Sequence, residues 1–308
     1  MASTTPPFKK VILVGAGGSA GAAILKALLA EPQLETTILA RESSKSKFPE
    51  GVKVIKIADS YAVDDLVAAF QGQDAVLNAM ATVTVKEQYR FIDAAIAARV
   101  RRYMPSEFGL DNSNRDAQEL TSIFADKGAV QRYLRDKAAA GKIEWMSIAS
   151  GMWVAWSVPM NFMGMDVPNR RFTVLDNGEG LVSCSPQENV GLAVARALVA
   201  EPELTRDRAL FLQSFVTSQN EMVLELEKQL GEKFTVEHVN SDELIEKQKA
   251  QIAAGNLRAN GALVNIAFMT GRYSGHFEKN EEILDEKLGL PKTTLAEQLA
   301  EGLRRLKA

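Results

Sequence analysis

Glycines spaced to meet a phosphate, and an arginine spaced to grip one, are the first residues in this chain that point to chemistry. Val11-Ile12-Leu13-Val14 runs straight into Gly15-Ala16-Gly17-Gly18-Ser19-Ala20-Gly21. Four apolar residues suit a strand buried on both faces, and the alanine-rich continuation suits a helix. In a turn of this kind one glycine lets the chain leave the strand tightly. A second lets the backbone approach a pyrophosphate, and a third lets helix and strand pack closely. The helix start then aims its free N–H groups and positive dipole end at the phosphate. Two registers fit: Gly15, Gly17 and Ala20 satisfy G-x-G-x-x-G/A, while Gly15, Gly18 and Gly21 satisfy G-x-x-G-x-x-G. Either predicts a dinucleotide site over 15–21, against the alternative of a purely structural turn.

About twenty residues further on, NAD sites commonly place an acidic residue against the ribose 2′-hydroxyl. This chain offers Ala40 and Arg41 there, with Lys45 and Lys47 close behind. A carboxylate would repel a 2′-phosphate, whereas arginine holds one bidentately, so NADP(H) is the expected nucleotide. The alternative is a solvated basic loop.

The elements that must position these residues alternate along the first half. Strands are predicted at 36–40, 52–57, 74–80, 100–104 and 143–148, with helices over 19–30, 62–70, 87–99 and 118–140. That rhythm indicates βαβ units with right-handed crossovers and a parallel sheet. The fold class is therefore α/β, a doubly wound NAD(P)-binding Rossmann sheet. Gly15–Gly21, Arg41, Asp59, Asn78 and Ser106 would converge at the carboxyl ends of its strands. Beyond residue 150 the composition changes. Met152, Trp153, Trp156, Met160, Phe162 and Met163 crowd together and include two of the chain's three tryptophans. They either pack a core or line an apolar, aromatic-accepting pocket. Asp176-Asn177-Gly178 predicts a hairpin turn between 172–175 and 181–184. Helices are predicted over 188–200, 219–230, 242–254 and 261–268, and Thr294-Leu295-Ala296-Glu297 reads as a capping box opening a last helix. The expected division is 1–150 for the nucleotide and 151–308 for a smaller, mostly helical substrate-binding domain interleaved with the first.

Bulk properties exclude several classes. The 308 residues are 46% hydrophobic and 24% charged with a net charge of −3, an ordinary globular balance that points to neither nucleic acid nor an anionic membrane. Met1–Pro7 is polar and lacks an apolar signal-peptide core, and no run of about 18 apolar residues occurs. A cytoplasmic protein, monomeric or homodimeric, with a small molecule as its partner is expected. Cys184 has no second cysteine to pair with and reads as a small buried hydrophobe. His238 and His276 lack metal-ligand spacing, so no metal is expected.

Val100-Arg101-Arg102-Tyr103-Met104-Pro105-Ser106-Glu107-Phe108-Gly109 resembles the "KRFxPSEFG" segment of the isoflavone-reductase-like, NmrA-like proteins, atypical members of the short-chain dehydrogenase/reductase superfamily. The likeness extends over most of the chain and is nearest in character to the fungal members. It implies an NADPH-dependent reductase of a small aromatic substrate, a phenylpropanoid-, isoflavonoid- or polyketide-like ketone, enone or benzylic ether. It places Arg41 on the NADP phosphate, Asp59 near the adenine, Asn78 near the nicotinamide-side ribose, and Lys127 beside the nicotinamide. Gly17 replaces the threonine of the usual G-x-T-G turn, which leaves the backbone contacts intact. The Met152–Trp156 stretch departs from the plant enzymes, so substrate identity does not carry over.

Reduction needs a proton donor or cation where negative charge develops. Lys127 could donate, orient the ribose or stabilise an enolate or alkoxide. Tyr133 and Lys137 have the Y-x-x-x-K spacing that performs acid–base catalysis in ordinary short-chain dehydrogenases, with both side chains on one helical face. Lys127 and Tyr133 are about 600° apart at helical pitch and cannot share a face, so only one enters the site. Lys127 is favoured by its position near the helix start and by the resemblance. Ser106 either bonds substrate or cofactor or caps local backbone. Phe108, Met152, Trp153, Trp156 and Phe162 are the expected substrate pocket. Two other functions fit the same fold: a regulator that senses dinucleotide without catalysis, and a non-redox pathway enzyme.

Overall fold

The computed structural model describes residues 6–307. From the amino end it builds β1 (Lys10–Val14), α1 (Ser19–Leu29), β2 (Glu35–Arg41), β3 (Lys53–Ile57), α2 (Val63–Phe70), β4 (Ala75–Asn78), α3 (Gln88–Ala97), β5 (Arg102–Met104), α4 (Arg115–Leu120), α5 (Ser122–Ala139) and β6 (Glu144–Ala149). It continues through α6 (Val154–Ser157), β7 (Met165–Asp166), β8 (Arg171–Leu175), β9 (Val182–Cys184), α7 (Gln187–Val199), β10 (Arg208–Phe211), β11 (Phe215–Thr217), α8 (Gln219–Leu230), β12 (Thr235–Val239), α9 (Ser241–Ala253), α10 (Asn260–Met269) and α11 (Leu295–Lys307).

Seven strands form one sheet in the order β10-β6-β5-β4-β1-β2-β3, and every pairing in it is parallel. Alternation along β1 divides the core. Val11 and Leu13 pack with Ile24 and Leu28 of α1 and Val190 and Val194 of α7. Ile12 and Val14 face Phe70 of α2, Phe91 of α3 and Leu134 of α5 on the other side. Helices thus cover both faces, as a sheet buried on both sides requires. The connections diverge between β1 and β4, and that crevice is where such sheets hold ligands. At the opposite pole, the buried Arg102 donates to Glu144 Oε2 at 2.7 Å, Thr205 Oγ1 at 3.1 Å and Pro202 O at 2.8 Å, tying β5 to β6 and to the segment entering β10.

A second apolar core lies over the carboxyl ends of the strands. It gathers Phe124 of α5, Met152, Val154, Phe172, Val182, Met222, Phe268 and Leu299 around two small sheets, β12-β8-β7 and β11-β9. The chain then returns from α7 to the main sheet as β10. The sequence reading missed this strand because its four residues carry no alternation and no flanking turn signal.

Two expectations need correction. The turn at 176–178 forms, with positive φ at Asp176 (53°) and Gly178 (74°), yet the flanking strands do not form a hairpin. β8 pairs with β7 and β12, and β9 pairs with β11. The end of β8 is fastened elsewhere: Gln219 Oε1 accepts from Leu175 N at 2.8 Å, and Asp176 accepts from Ser241 N and Oγ at 2.8 and 2.7 Å. The helix expected over 118–140 is two helices, because Thr121 is extended (φ −150°, ψ 144°) and caps α5 through its hydroxyl. The capping box at Thr294 and Glu297 is present.

α1 and α7 cross where Gly191 meets the Ala23 carbonyl, and a Cβ there would collide with it. Gly191→Ala is expected to lower unfolding stability by about 1–3 kcal/mol in urea titration, with the m-value unchanged.

Candidate functional site

The turn after β1 depends on close backbone contact. Gly15 has φ +80°, and a Cβ on it would press into the Ala79 carbonyl at the end of β4. A Cβ on Gly21 would collide with the Gly15 carbonyl. Gly21, one residue past Ala20, is therefore the closest crossing of α1 over the turn, as the G-x-x-G-x-x-G register requires. Gly18 caps α1 without a side-chain hydrogen bond. The first N–H groups of the helix have no partner within it, and Gly18, Ser19 and Ala20 border a cavity of about 500 Å³. An anion with closely spaced oxygens fits these donors.

A second cavity, of about 320 Å³, extends from the same turn toward Arg41. The two meet at Gly18 and Ala79–Ala81, directly over the crevice between β1 and β4. Arg41 lies half exposed at its end, 3.7 Å from Asp59 Oδ2. Asp59 accepts from the hydroxyl of Ser43 and from Ser43 N at 3.1 Å. Those bonds, then Arg41 and Lys56, hold its carboxyl below the usual range. Lys56 Nζ donates to the carbonyls of Arg41 (3.1 Å) and Ser44 (3.2 Å), fixing the loop after β2. That loop places Ser46 over Gly17, where a Cβ would strike the Ser46 hydroxyl, so the glycine at 17 accommodates Ser46. Ser44, Ser46 and Tyr61 line this cavity, whereas Lys45 is exposed outside it and Asp59 faces its own loop.

The larger cavity has one polar corner and a long apolar wall. Lys127 enters from α5, and its Nζ donates to the Glu107 carbonyl at 2.7 Å. Burial pulls its pKa below that of an ordinary lysine, with Glu107 opposing. The Glu107 carboxyl is pushed up to about 7 by burial, against the pull of Lys127 and the Asn112 amide. Ser106 borders the cavity but both its donors are already engaged: its Oγ donates to Met80 O at 2.8 Å, and its N–H to the Gln88 side-chain Oε1 at 2.8 Å. The wall is Phe108, Phe124, Met152, Trp153, Trp156 and Phe162, closed on the far side by Val264 and Phe268 of α10. Trp153, Trp156 and Phe162 stack edge to face at 6.2 and 5.9 Å, the arrangement aromatic quadrupoles prefer. Trp153 Nε1 donates to Ser150 Oγ at 3.0 Å. α11 packs on α6 through Gly302, where a Cβ would press on Val158, and so braces this wall from outside.

Three sequence candidates stand elsewhere. Tyr133 donates to Asp93 Oδ1 at 2.7 Å and Lys137 pairs with the same carboxylate at 3.6 Å, so both face α3 and turn away from the cavity. Asn78 is fully buried beneath the floor, where it donates to Tyr103 OH at 3.0 Å and accepts from Met80 N at 2.9 Å. Its second N–H faces Met80 Sδ at 3.4 Å, and the side chain is sealed from both cavities. Conversely, sequence reasoning passed over Glu107, Asn112, Tyr61, Ser46 and the α10 residues. Glu107 lay inside the segment that carried the resemblance; the others had no local signal. Among the described residues no helix is long and apolar enough to cross a membrane, and no cluster of His, Cys, Asp and Glu could hold a metal ion.

The NmrA-like family profile matches residues 7–297. Oxidoreductase aprR of Aspergillus flavus is 35% identical over 296 residues, spanning 96% of this chain and 99% of that protein. The isoflavone reductase homolog IRL of Zea mays is 27% identical, over 86% of this chain and 88% of its own length. Among solved structures, an isoflavone reductase superposes with a TM-score of 0.76 at 20% identity, covering 95% of this chain and 98% of that one. A leucoanthocyanidin reductase–NADPH complex from Vitis vinifera does so with a TM-score of 0.76 at 16% identity, covering 96% and 99%. The structural likenesses show the fold, a Rossmann-type parallel sheet, and the profile and the fungal relative show the lineage: the chain belongs to the NmrA-like family.

Proposed function

We propose that the protein is an NADPH-dependent reductase of a small aromatic ketone, enone or benzylic ether, with Lys127 as proton donor or charge stabiliser. Residues 1–150 hold the nucleotide, and 151–308, interleaved with them, shape the substrate cavity. The observation that carries this reading is a partly buried ammonium at a polar corner of an aromatic-walled cavity that opens onto an uncapped glycine turn. The oxidoreductase and reductase names of its relatives, and NADPH in structural neighbours, support the same reading.

Gly18, Ser19 and Ala20 would hold the pyrophosphate through backbone N–H groups, and Arg41 the 2′-phosphate. The bound nicotinamide supplies the hydride. Lys127 has three N–H donors and gives one to the Glu107 carbonyl, leaving two for a substrate oxygen that gains charge as the carbon is reduced. The aromatic wall excludes water, which strengthens that interaction and holds a flat ring by its faces and edges.

Arg41→Ala should weaken NADPH binding roughly tenfold to a hundredfold and leave NADH binding unchanged in fluorescence titration, since one charge-assisted phosphate contact is lost. Equal loss for both nucleotides would remove Arg41 from the phosphate site. Lys127→Ala should keep NADPH affinity and lower kcat by about 10²–10⁴ on an aromatic carbonyl panel, while Tyr133→Phe keeps turnover. Tight NADPH binding with no turnover on any substrate by the unaltered protein would favour the non-catalytic sensor instead. Gly17→Thr should abolish the thermal shift given by NADPH, and the double variant Gly17→Thr/Ser46→Gly should recover it; recovery failing would mean that Ser46 is not what requires the glycine.

A further inference from the structure

The loop after β5 holds a carboxyl group that the reductase reading leaves without a task. Glu107 is 4% exposed and borders the larger cavity. Isolated buried carboxylates are costly and normally fully hydrogen-bonded. Here only one oxygen is served: Oε2 accepts from the Asn112 amide, while Oε1 is buried with no partner. The charged groups acting on this carboxyl are Lys127 from α5 and Asp111 from its own loop. On Lys127, Glu107 is the charged group that acts among the described residues. The ammonium bonds the main-chain carbonyl of Glu107 and not its carboxylate, whose Oε2 takes the Asn112 amide.

Building on the reductase reading, we propose that Glu107 is a positioning residue for Lys127: its carbonyl fixes where the ammonium stands, and its buried carboxylate is the counter-charge that keeps that ammonium protonated. An ammonium in an apolar cavity gives up its proton more easily than one in water, because desolvation penalises the charged form. A carboxylate in the same cavity opposes that loss, and more strongly than it would in water. The Asn112 amide orients the carboxyl and leaves Oε1 free of competing donors. The carboxyl titrates at about 7, so its counter-charge is present above neutrality and fades below it. A lysine with a lowered pKa loses its proton as pH rises, so the counter-charge is present on the basic side, where the ammonium needs support.

The test follows Lys127 by ¹³C NMR of protein labelled at lysine Cε, with its resonance identified by loss in Lys127→Arg. In the unaltered protein, without nucleotide or substrate, the Lys127 resonance should record a step near neutrality as Glu107 ionises. In Glu107→Gln that step should vanish, and the lysine's own midpoint should fall by about 1–3 pH units. The basic limb of the kcat profile should move by the same amount, with KM little changed and Glu107→Asp restoring part of the shift. An unchanged Lys127 midpoint in Glu107→Gln, or a loss of kcat uniform across pH, overturns the proposal. So does absence of the neutral step in the unaltered protein, a result that stands even if the variant fails to fold. The NMR arms need no turnover, so a protein that couples the two groups but reduces nothing would sink the reductase reading and leave the pairing established.

Discussion

Main-chain approach at the carboxyl end of β1 is the constraint from which the rest of the molecule follows. Gly15 lies against the Ala79 carbonyl, and Gly21 lies against Gly15, so strand, turn, helix and the neighbouring strand meet with no side chain between them. This contact brings the uncapped start of α1 to the crevice between β1 and β4. It also brings the two cavities side by side, since both are bounded by Gly18 and the residues that leave β4. A side chain at 15 or 21 would push helix from sheet, and the distance between the arginine end and the lysine corner would change with it.

The lysine corner depends on a second device, the break at Thr121. A helix running unbroken from 115 would have to continue the direction of α4. The extended residue instead lets α5 begin afresh, with Thr121 satisfying the Ile123 amide, so that Phe124 and Lys127 face the cavity and Tyr133 faces α3. Gly128, one residue beyond the lysine, sits so tightly against the Asn112 carbonyl and the Gln118 amide that a Cβ would overlap them. Gln118 in turn donates to that carbonyl at 2.8 Å. Lys127 on α5 and the loop that carries Glu107 and Asn112 are thus clamped into one polar cluster within a largely apolar chamber.

Much of this was legible in the chain because it is local. An apolar run, a glycine turn and an arginine at the end of the next strand are patterns within about thirty residues, and β1, α1 and β2 form where those patterns fall. Helical pitch alone was enough to separate Lys127 from Tyr133. What escaped was settled by distant partners. Ser46 is brought over Gly17 by Lys56 on the neighbouring strand, β8 is claimed by β12 some sixty residues later, and Asn78 is consumed by Tyr103. The side chain of Asn78 stands at the strand end where a ligand contact was expected, but a buried amide takes the nearest fixed partners, and here those lie below the floor.

Arg102 and its partners lie at the amino ends of β5 and β6, while the aromatic wall rises from the other ends of the same strands. The ionic anchor of the sheet and the aromatic chamber therefore sit at opposite poles. Replacing Trp156, Phe162 or Val264 would reshape the chamber without touching the ionic knot that ties the sheet, so the shape of the one can drift while the anchorage of the other stays fixed.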